Sequence, residues 1–507
     1  MDDSLIAMQS LRCRALFAVV LCFVGPVAAQ GDGLAGSAPP RPNVLILLAD
    51  DQGYGDVGYH NEAVYSPNID ALAARGTRFT HHYVMPQCTP TRVALLTGRY
   101  PSRFGPRAQQ ASNALAVPLG TVTVASALRS LGYRTALVGK WHLGSRPEHG
   151  PNHFGFEHSY GSLTGAVGMY DHRYRKGAFA ETWHRDHAPL ENHENGVHAT
   201  DLVAREAVRV IEAGAGQNKP WFLYVPFHAI HTPLDERGRF VDEPTALDPD
   251  RKGRWRHEDE IVWFHDPEGL IQRESDPEKR LLLAAVHHMD HAVGRIVDAL
   301  RRTGQLESTL ILYSSDNGPQ VNWPGNAYPD DLKLTDFNQP IAMRGHKTHT
   351  YEGGIRVPGF AVWPGRIPAK DESMPVHIVD WMPTLLAVLG GVQDRELDGR
   401  NISSLLGIRG VGGVAGRSTE EQGSLREREL YWVWSASSNR RALRCGRWKI
   451  VRYGKDEPGS AGDWQLFDLE QDPLEAANVA ESNPEVLQDM HARFLRQRSR
   501  DRLRRAN

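Results

Sequence analysis

Cysteine is scarce in this chain: four in 507 residues. Two of them, Cys13 and Cys22, lie in an N-terminal stretch that reads as a leader, which leaves Cys88 and Cys445. So few thiols exclude a disulfide-held scaffold. A Cys88–Cys445 bridge is the bland alternative, but the residues around Cys88 favour a special chemical fate for that thiol. An excess of charge of one sign is also lacking. With 58 basic and 61 acidic side chains the formal net charge is −3, which gives no reason to expect a nucleic-acid partner. Internal repeats are absent. The run from Ala15 to Val24 is too short for a comfortable membrane span, so no stable membrane insertion is expected. What is present is ordinary globular material: 40% hydrophobic and 23% charged residues can bury a substantial core and exclude a disordered chain. The length allows one large α/β unit and a smaller appendage.

Arg12 and Arg14 precede the apolar run, Gly25 and Pro26 break it, and Val27-Ala28-Ala29 offers a small-residue cleavage site before Gln30. This pattern predicts a signal peptide over 1–29 and export to a periplasmic, secreted or lysosome-like compartment. Leu21-Cys22 is a poor lipoprotein site. Residues 30–41 read as a Gly/Ala/Pro-rich linker.

Beyond the linker, buried strands alternate with amphipathic helices. Asn43 to Ala49 is a near-continuous apolar run, as expected of a strand covered on both faces. Ser66-Pro67 marks a helix start, with Ile69, Leu72 and Ala73 on one face and Gly76 at its end. Further strands are expected at Tyr133 to Val138, Trp221 to Val225, Thr309 to Ser314 and Ile355 to Val362, and helices at Val122 to Leu131, His198 to Ala213 and Lys279 to Arg302. The alternation predicts a mostly parallel sheet flanked by helices over 42–426. Over 427–507, short strands at Leu430 to Trp434, Arg441 to Cys445, Trp448 to Tyr453 and Trp464 to Asp468 predict a small antiparallel sheet with a helix from Pro484. The charged segment from Asp235 to Asp276, which contains Trp255, Trp263 and Phe264, reads as an ordered insertion near the site. Seven arginines in the last fifteen residues read as a solvated helix face and tail.

Chemistry concentrates at a few points. In Cys88-Thr89-Pro90-Thr91-Arg92 the proline suits a first helical turn, which puts Cys88 at a helix N-terminus, where unpaired N–H groups favour an anion. Asp50 and Asp51 end one strand, and Asp316 and Asn317 end another. Distant strands of an open α/β sheet bring such pairs together at their carboxyl ends. All four offer hard oxygen and none offers sulfur or imidazole, which favours calcium, then magnesium, over zinc.

The Cys-x-Pro-x-Arg run continues into Leu96-Thr97-Gly98-Arg99 and resembles the signature of the sulfatase family. Asn43 to Gly55 (NVLILLADDQGYG), Gly132 to Thr135 with Gly139 to Gly144 (GKWHLG), Phe227 to Pro233 (FHAIHTP), Ser315 to Gly318, Lys347 to Gly354 (KTHTYEGG) and Trp464 to Ala480 are similar to further family blocks, in family order. The resemblance covers nearly the whole mature chain and is closest to the arylsulfatase A/B group, nearest its N-acetylgalactosamine-4-sulfatase branch. It implies an alkaline-phosphatase-like α/β sandwich and hydrolysis of sulfate esters on aryl sulfates or, first choice, sulfated carbohydrate. It also implies a bound calcium ion and oxidation of Cys88 to formylglycine by a maturation enzyme. A hydrated aldehyde offers two hydroxyls, one to attack sulfur and one to expel sulfate afterwards; serine or unmodified cysteine lacks the second.

By resemblance Asp50, Asp51, Asp316, Asn317 and modified Cys88 hold the metal. Arg92 and His142 contact the formylglycine hydroxyls, with His142 as the base for elimination. Lys140 and Lys347 bind sulfate oxygens, and His231 protonates the leaving oxygen. Fixed cations suit charge that spreads over non-bridging oxygens, and histidine can carry a proton near neutrality. Thr91 stands where many relatives have Ser, and the loop from Gly161 to Asn195 departs most from the pattern, with the 235–276 insertion. His228, His287, His288 and His291 read as structural or surface residues, and Asp171, His172 and the His184 to His198 stretch are not assigned. Two rivals remain: a formylglycine-dependent phosphonate or phosphodiester hydrolase, and a non-catalytic protein that binds sulfated glycans.

Overall fold

The computed structural model describes residues 41–174, 178–191, 193–234, 236, 269–321, 343–392, 396–408, 424–434, 439–454 and 464–502. The expected leader at 1–29, almost all of the linker, and Asp235 with 237–268 of the expected insertion lie outside them. Among the described residues no helix is long and apolar enough to cross a membrane.

A ten-stranded sheet organises the chain. Its centre is parallel and runs, side by side, Thr309–Ser315, Asn43–Ala49, Trp221–Pro226, Arg134–Val138 and His158–Ser162. Antiparallel strands extend both sides: Gly359–Val362 beyond Thr309–Ser315, and Trp183–Arg185 beyond His158–Ser162. The central strands are buried on both faces, and the period of two assigns alternate residues to two cores. Val44, Ile46, Leu48, Phe222, Tyr224, Leu310 and Leu312 enter one core with the helices Cys88–Thr97, Val124–Ser130 and Trp381–Leu389. Leu45, Leu47, Ala49, Leu223, Val225, Ile311 and Tyr313 enter the other with Pro67–Ala73, Ala199–Gly214 and Pro277–Arg302.

A four-stranded antiparallel sheet (Glu429–Trp434, Arg440–Cys445, Trp448–Arg452, Gln465–Asp468) and the helix Pro484–Arg498 pack on the first core. That places the small sheet on the same side as the Cys88 helix. Buried Lys449 ties the two regions together, forming ion pairs with Glu352 Oε1 at 2.9 Å and Glu475 Oε1 at 2.8 Å. Arginines of the C-terminal helix pair with Asp489 and Glu429, and Arg500 pairs with Asp398, so this basic segment is engaged with its own chain.

Some expected elements shift. The strand expected from Ile355 begins only at Gly359, and Glu352–Ile355 is a helical turn. Pro358 has no N–H for the ladder, so pairing starts after it. The helix expected from Val122 starts at Val124, because Thr123 and Ser126 close a reciprocal capping box. Ser66 does precede the Pro67 helix, but its hydroxyl caps no N–H of that helix; it accepts from Gly58 N–H at 2.7 Å and donates to Asp70 Oδ1 at 2.9 Å. Cys88 and Cys445 are both free thiols, so the bridge is not formed. The Cys445 thiol instead donates to Glu427 O at 3.0 Å.

Candidate active site

The parallel strands deliver the polar residues to one edge of the sheet. Asp50 and Asp51 follow Asn43–Ala49, Asp316 and Asn317 follow Thr309–Ser315, Lys140 and His142 follow Arg134–Val138, and His231 follows Trp221–Pro226. This is the carboxyl edge, where loops from neighbouring strands diverge and leave a crevice. Lys347 arrives on a separate loop that is pinned on both sides. Its N–H donates to Pro319 O at 3.0 Å, just past Asn317, and Thr348 N–H donates to Pro86 O, just before Cys88.

Cys88 opens the helix Cys88–Thr97, and Gln87 is its cap residue in extended conformation. The threonines of the motif fix its position. Thr91 Oγ1 donates to Met85 O and accepts from Met85 N–H, both at 3.0 Å, and Thr89 Oγ1 donates to His142 O at 2.9 Å. Threonine at 91 therefore supplies the hydroxyl that serine would. Gly98 ends the helix at φ 63, where the left-handed turn suits glycine.

All ten residues singled out in the sequence meet around this helix terminus, and each is buried. Arg92 is fully enclosed; its Nη2 and Nε reach Asp316 Oδ2 at 2.8 and 3.2 Å, and its Nη1 donates to Lys140 O at 2.8 Å. It thus clamps a carboxylate and the Lys140 backbone together. Lys140 Nζ contacts Asp50 Oδ2, and Lys347 Nζ bonds Asp51 at 2.7 Å to Oδ1 and 2.8 Å to Oδ2. Asn317 Nδ2 donates to Asp51 Oδ1 at 2.7 Å, and Asp51 N–H donates to Asp316 Oδ1 at 3.2 Å. Asp51 and His142 both adopt positive φ (62 and 57), held by these contacts.

The electrostatics follow from the crowding. Burial, then the Asp316 charge, holds Asp50 well above the usual carboxylate range despite Lys140 and Arg92. Burial pushes the Cys88 thiol up, with Lys140 and Lys347 pulling against it. His142 and His231 fall well below the ordinary histidine value, first through burial and then through nearby cations. His231 Nδ1 meets Thr232 O at 2.7 Å, so Nδ1 carries a proton, and Nε2 lies 3.7 Å from Asp51 Oδ2. The His142 ring lies against Gly165, where a Cβ would come within 2.2 Å of it.

The donor set fits a hard cation. Asp50 Oδ1 and Asn317 Oδ1 are buried with no hydrogen-bond partner among the described residues. Such atoms are costly unless something positive meets them. Ligand atoms of Asp50, Asp51 and His231 lie within 4.8 Å of one another. The grouping brings in His231, which the sequence pointed to only as a proton donor, beside the four oxygen donors.

The structure also places residues that the sequence left as structural or unassigned, and adds Glu236 and Asp201. His228 is buried, stacks on Trp183 and meets Ser162 Oγ at 2.7 Å through Nε2. Five residues past His231, buried Glu236 meets His288 Nδ1 at 2.8 Å and His198 Nε2 at 3.4 Å, while His288 Nε2 lies 3.5 Å from Asp201. The spacing of His198, Glu236 and His288 would admit a metal. However, Thr200 N–H donates to His198 Nδ1 at 3.2 Å, which leaves the proton of the neutral ring on Nε2, facing Glu236. We read the group as an ion-pair network that anchors the loop carrying His231. No hydrophobic pattern or motif could have linked Glu236 to His288, 52 positions away.

Comparison with known proteins agrees with this fold. The family model described as Sulfatase matches residues 42–392, and that described as N-sulphoglucosamine sulphohydrolase, C-terminal, matches 345–500. Arylsulfatase J of Mus musculus is 32% identical over 393 residues, which span 75% of this chain and 58% of that protein. Arylsulfatase A of Homo sapiens is 30% identical over 518 residues, or 90% of this chain and 87% of that protein. The crystal structure of Ps i-CgsB in complex with k-i-k-neocarrahexaose superposes with a TM-score of 0.71 at 28% identity, covering 91% of this chain and 94% of that one. The chain belongs to the sulfatase family, the hydrolases of sulfuric esters.

Proposed function

We propose that this protein hydrolyses sulfate esters of carbohydrates, with Cys88 converted to formylglycine and a calcium ion held by Asp50, Asp51, Asp316 and Asn317. The observation that carries the reading is the convergence of Arg92, Lys140 and Lys347 with three carboxylates around Cys88 at a helix N-terminus. Formylglycine at position 88 would supply a carbon able to bear two hydroxyls, which a thiol lacks. Calcium held by Asp50, Asp51, Asp316 and Asn317 would supply charge neutralisation.

The remaining roles belong to this chain's own side chains. Lys140 and Lys347 have ammonium groups at the carboxylate cluster and can pass from Asp50 and Asp51 to incoming sulfate oxygens. Arg92 holds Asp316 and the Lys140 backbone in register, so the base of the Lys140 side chain is fixed before substrate arrives. Burial and the charges of Lys347 and Lys140 hold the His231 pKa well below the ordinary histidine value; an arriving sulfate offsets those charges, favouring a proton on Nε2 for the leaving oxygen. His142, with buried Nδ1 lacking a partner among the described residues, is placed to hold a proton during sulfate release.

The carbohydrate assignment draws on relatives named for N-acetylgalactosamine-6-sulfatase activity and on the neocarrahexaose complex of Ps i-CgsB. The leader expected at 1–29 would direct export and bring the enzyme to extracellular or lumenal polysaccharide. Replacing Cys88 with Ala should abolish release of sulfate from a sulfated sugar. A variant that keeps more than a few percent of activity would remove the nucleophile from this account.

A further inference from the structure

The C-terminal sheet reaches the active site through two side chains. Trp434, at the end of the Glu429–Trp434 strand, donates from Nε1 to Gln87 Oε1 at 2.8 Å, and Gln87 adjoins Cys88. Arg440, at the start of the next strand, donates from Nη1 to Thr348 Oγ1, and Thr348 adjoins Lys347. The pair therefore touches the neighbours of both the nucleophile position and a sulfate-binding lysine.

Half-buried Arg440 differs from Arg92, Arg103 and Arg428 in its lack of a counter-ion among the described residues. Arg92, Arg103 and Arg428 are each matched to a carboxylate (Asp316, Asp398 and Asp380). Among the described residues Arg440 has none, and its buried Nε has no hydrogen-bond partner. Its guanidinium lies 5.0 Å from the Trp434 ring centre and 5.2 Å from that of Tyr453. Burial lowers its pKa, against the pull of Tyr453. Aromatic packing orients a guanidinium, and the fork of donors along its edge fits a carboxylate or sulfate oxygen pair. A buried donor on a cation is costly to leave unmet, so an acceptor belongs there when the site is in use.

We propose that Arg440 is a specificity-determining residue that receives a second anionic group of the substrate, either a uronate carboxylate or another sulfate, beside the ester being cleaved. This rests on the sulfate-ester reading above and narrows its substrate class to carbohydrates with at least two anionic groups. Trp434 and Tyr453 hold the guanidinium in place, and Arg440 takes no part in bond cleavage.

The test compares wild type, Arg440→Met and Arg440→Lys on four esters. These are 4-nitrophenyl sulfate, a monosulfated N-acetylhexosamine, a disulfated N-acetylhexosamine, and a monosulfated disaccharide carrying a uronate. Arg440→Met keeps the apolar stem and loses the charge. It should raise KM for at least one doubly anionic sugar by on the order of 10- to 100-fold more than for the two singly charged esters, as expected for a hydrogen bond to a charged group. The sugar that suffers identifies the source of the anion. Arg440→Lys should recover part of the loss, and it serves as the selective probe if the Met variant does not fold. Equal changes on all four esters, or no change on any, would overturn the proposal. Wild-type turnover of 4-nitrophenyl sulfate reports separately on the hydrolase reading, so the two failures are distinguishable.

Discussion

His231→Ala offers a sharp division between two jobs that the same ring could do. The ring sits with Nδ1 tied to Thr232 O at 2.7 Å and Nε2 at 3.7 Å from Asp51. If it protonates the leaving oxygen, its loss matters in proportion to how poor the leaving group is. Sugar alkoxides need the proton, and for them the loss should be on the order of 100- to 10,000-fold in kcat, or ~3–5 kcal/mol of barrier. A nitrophenolate leaves unaided, so 4-nitrophenyl sulfate should lose less than about tenfold, outside the range a positioned acid supplies. If the ring instead serves chiefly as a metal ligand with Asp50 and Asp51, both substrates suffer alike and excess calcium restores both. The assay is sulfate release from a sulfated sugar beside absorbance of nitrophenolate, on one preparation across a calcium titration. Equal losses on the two substrates would refute the proton-donor role.

Chelation of divalent ions should inactivate the enzyme, and calcium should restore activity better than zinc, because Asp50, Asp51, Asp316 and Asn317 present hard oxygens. Rescue by zinc alone would contradict the ligand assignment. The His288 network makes a separate prediction about stability. Burial favours the neutral ring, but Glu236 and Asp201 outweigh it and raise its pKa from 6.5 to about 9. A folded-state pKa above the unfolded one contributes stability that is complete below the unfolded value and lost as pH rises through the folded one. The melting temperature of wild type over His288→Gln should therefore differ most below pH ~6.5 and converge by pH ~10. A difference that does not vary with pH would refute the charged network.

Much of the frame was legible because it rests on local pattern. The run Asn43 to Ala49 became a strand with those bounds, since only a doubly covered strand is apolar without alternation. Pro90 and Pro484 each fell in a first helical turn, where a missing N–H is harmless. The carboxyl ends of the parallel strands then forced Asp50, Asp51, Asp316 and Asn317 together without any side-chain detail. The antiparallel strand after Pro358 was placed too early, because the apolar residues Ile355 and Val357 match a strand pattern while packing in a turn. Contacts between distant segments left no local trace. Glu236 with His288, Lys449 with Glu352, and Arg440 with Thr348 are separated by 52, 97 and 92 positions, and nothing in their immediate neighbourhoods announces a partner. The sequence therefore located the chemistry but not the walls around it.

The account turns on what residue 88 is in the working enzyme. Mass spectrometry of the peptide that contains it, taken from a preparation whose activity has been titrated, should show the thiol replaced by an aldehyde in a fraction that tracks specific activity. Fully active material in which Cys88 still carries its sulfur would contradict the central claim.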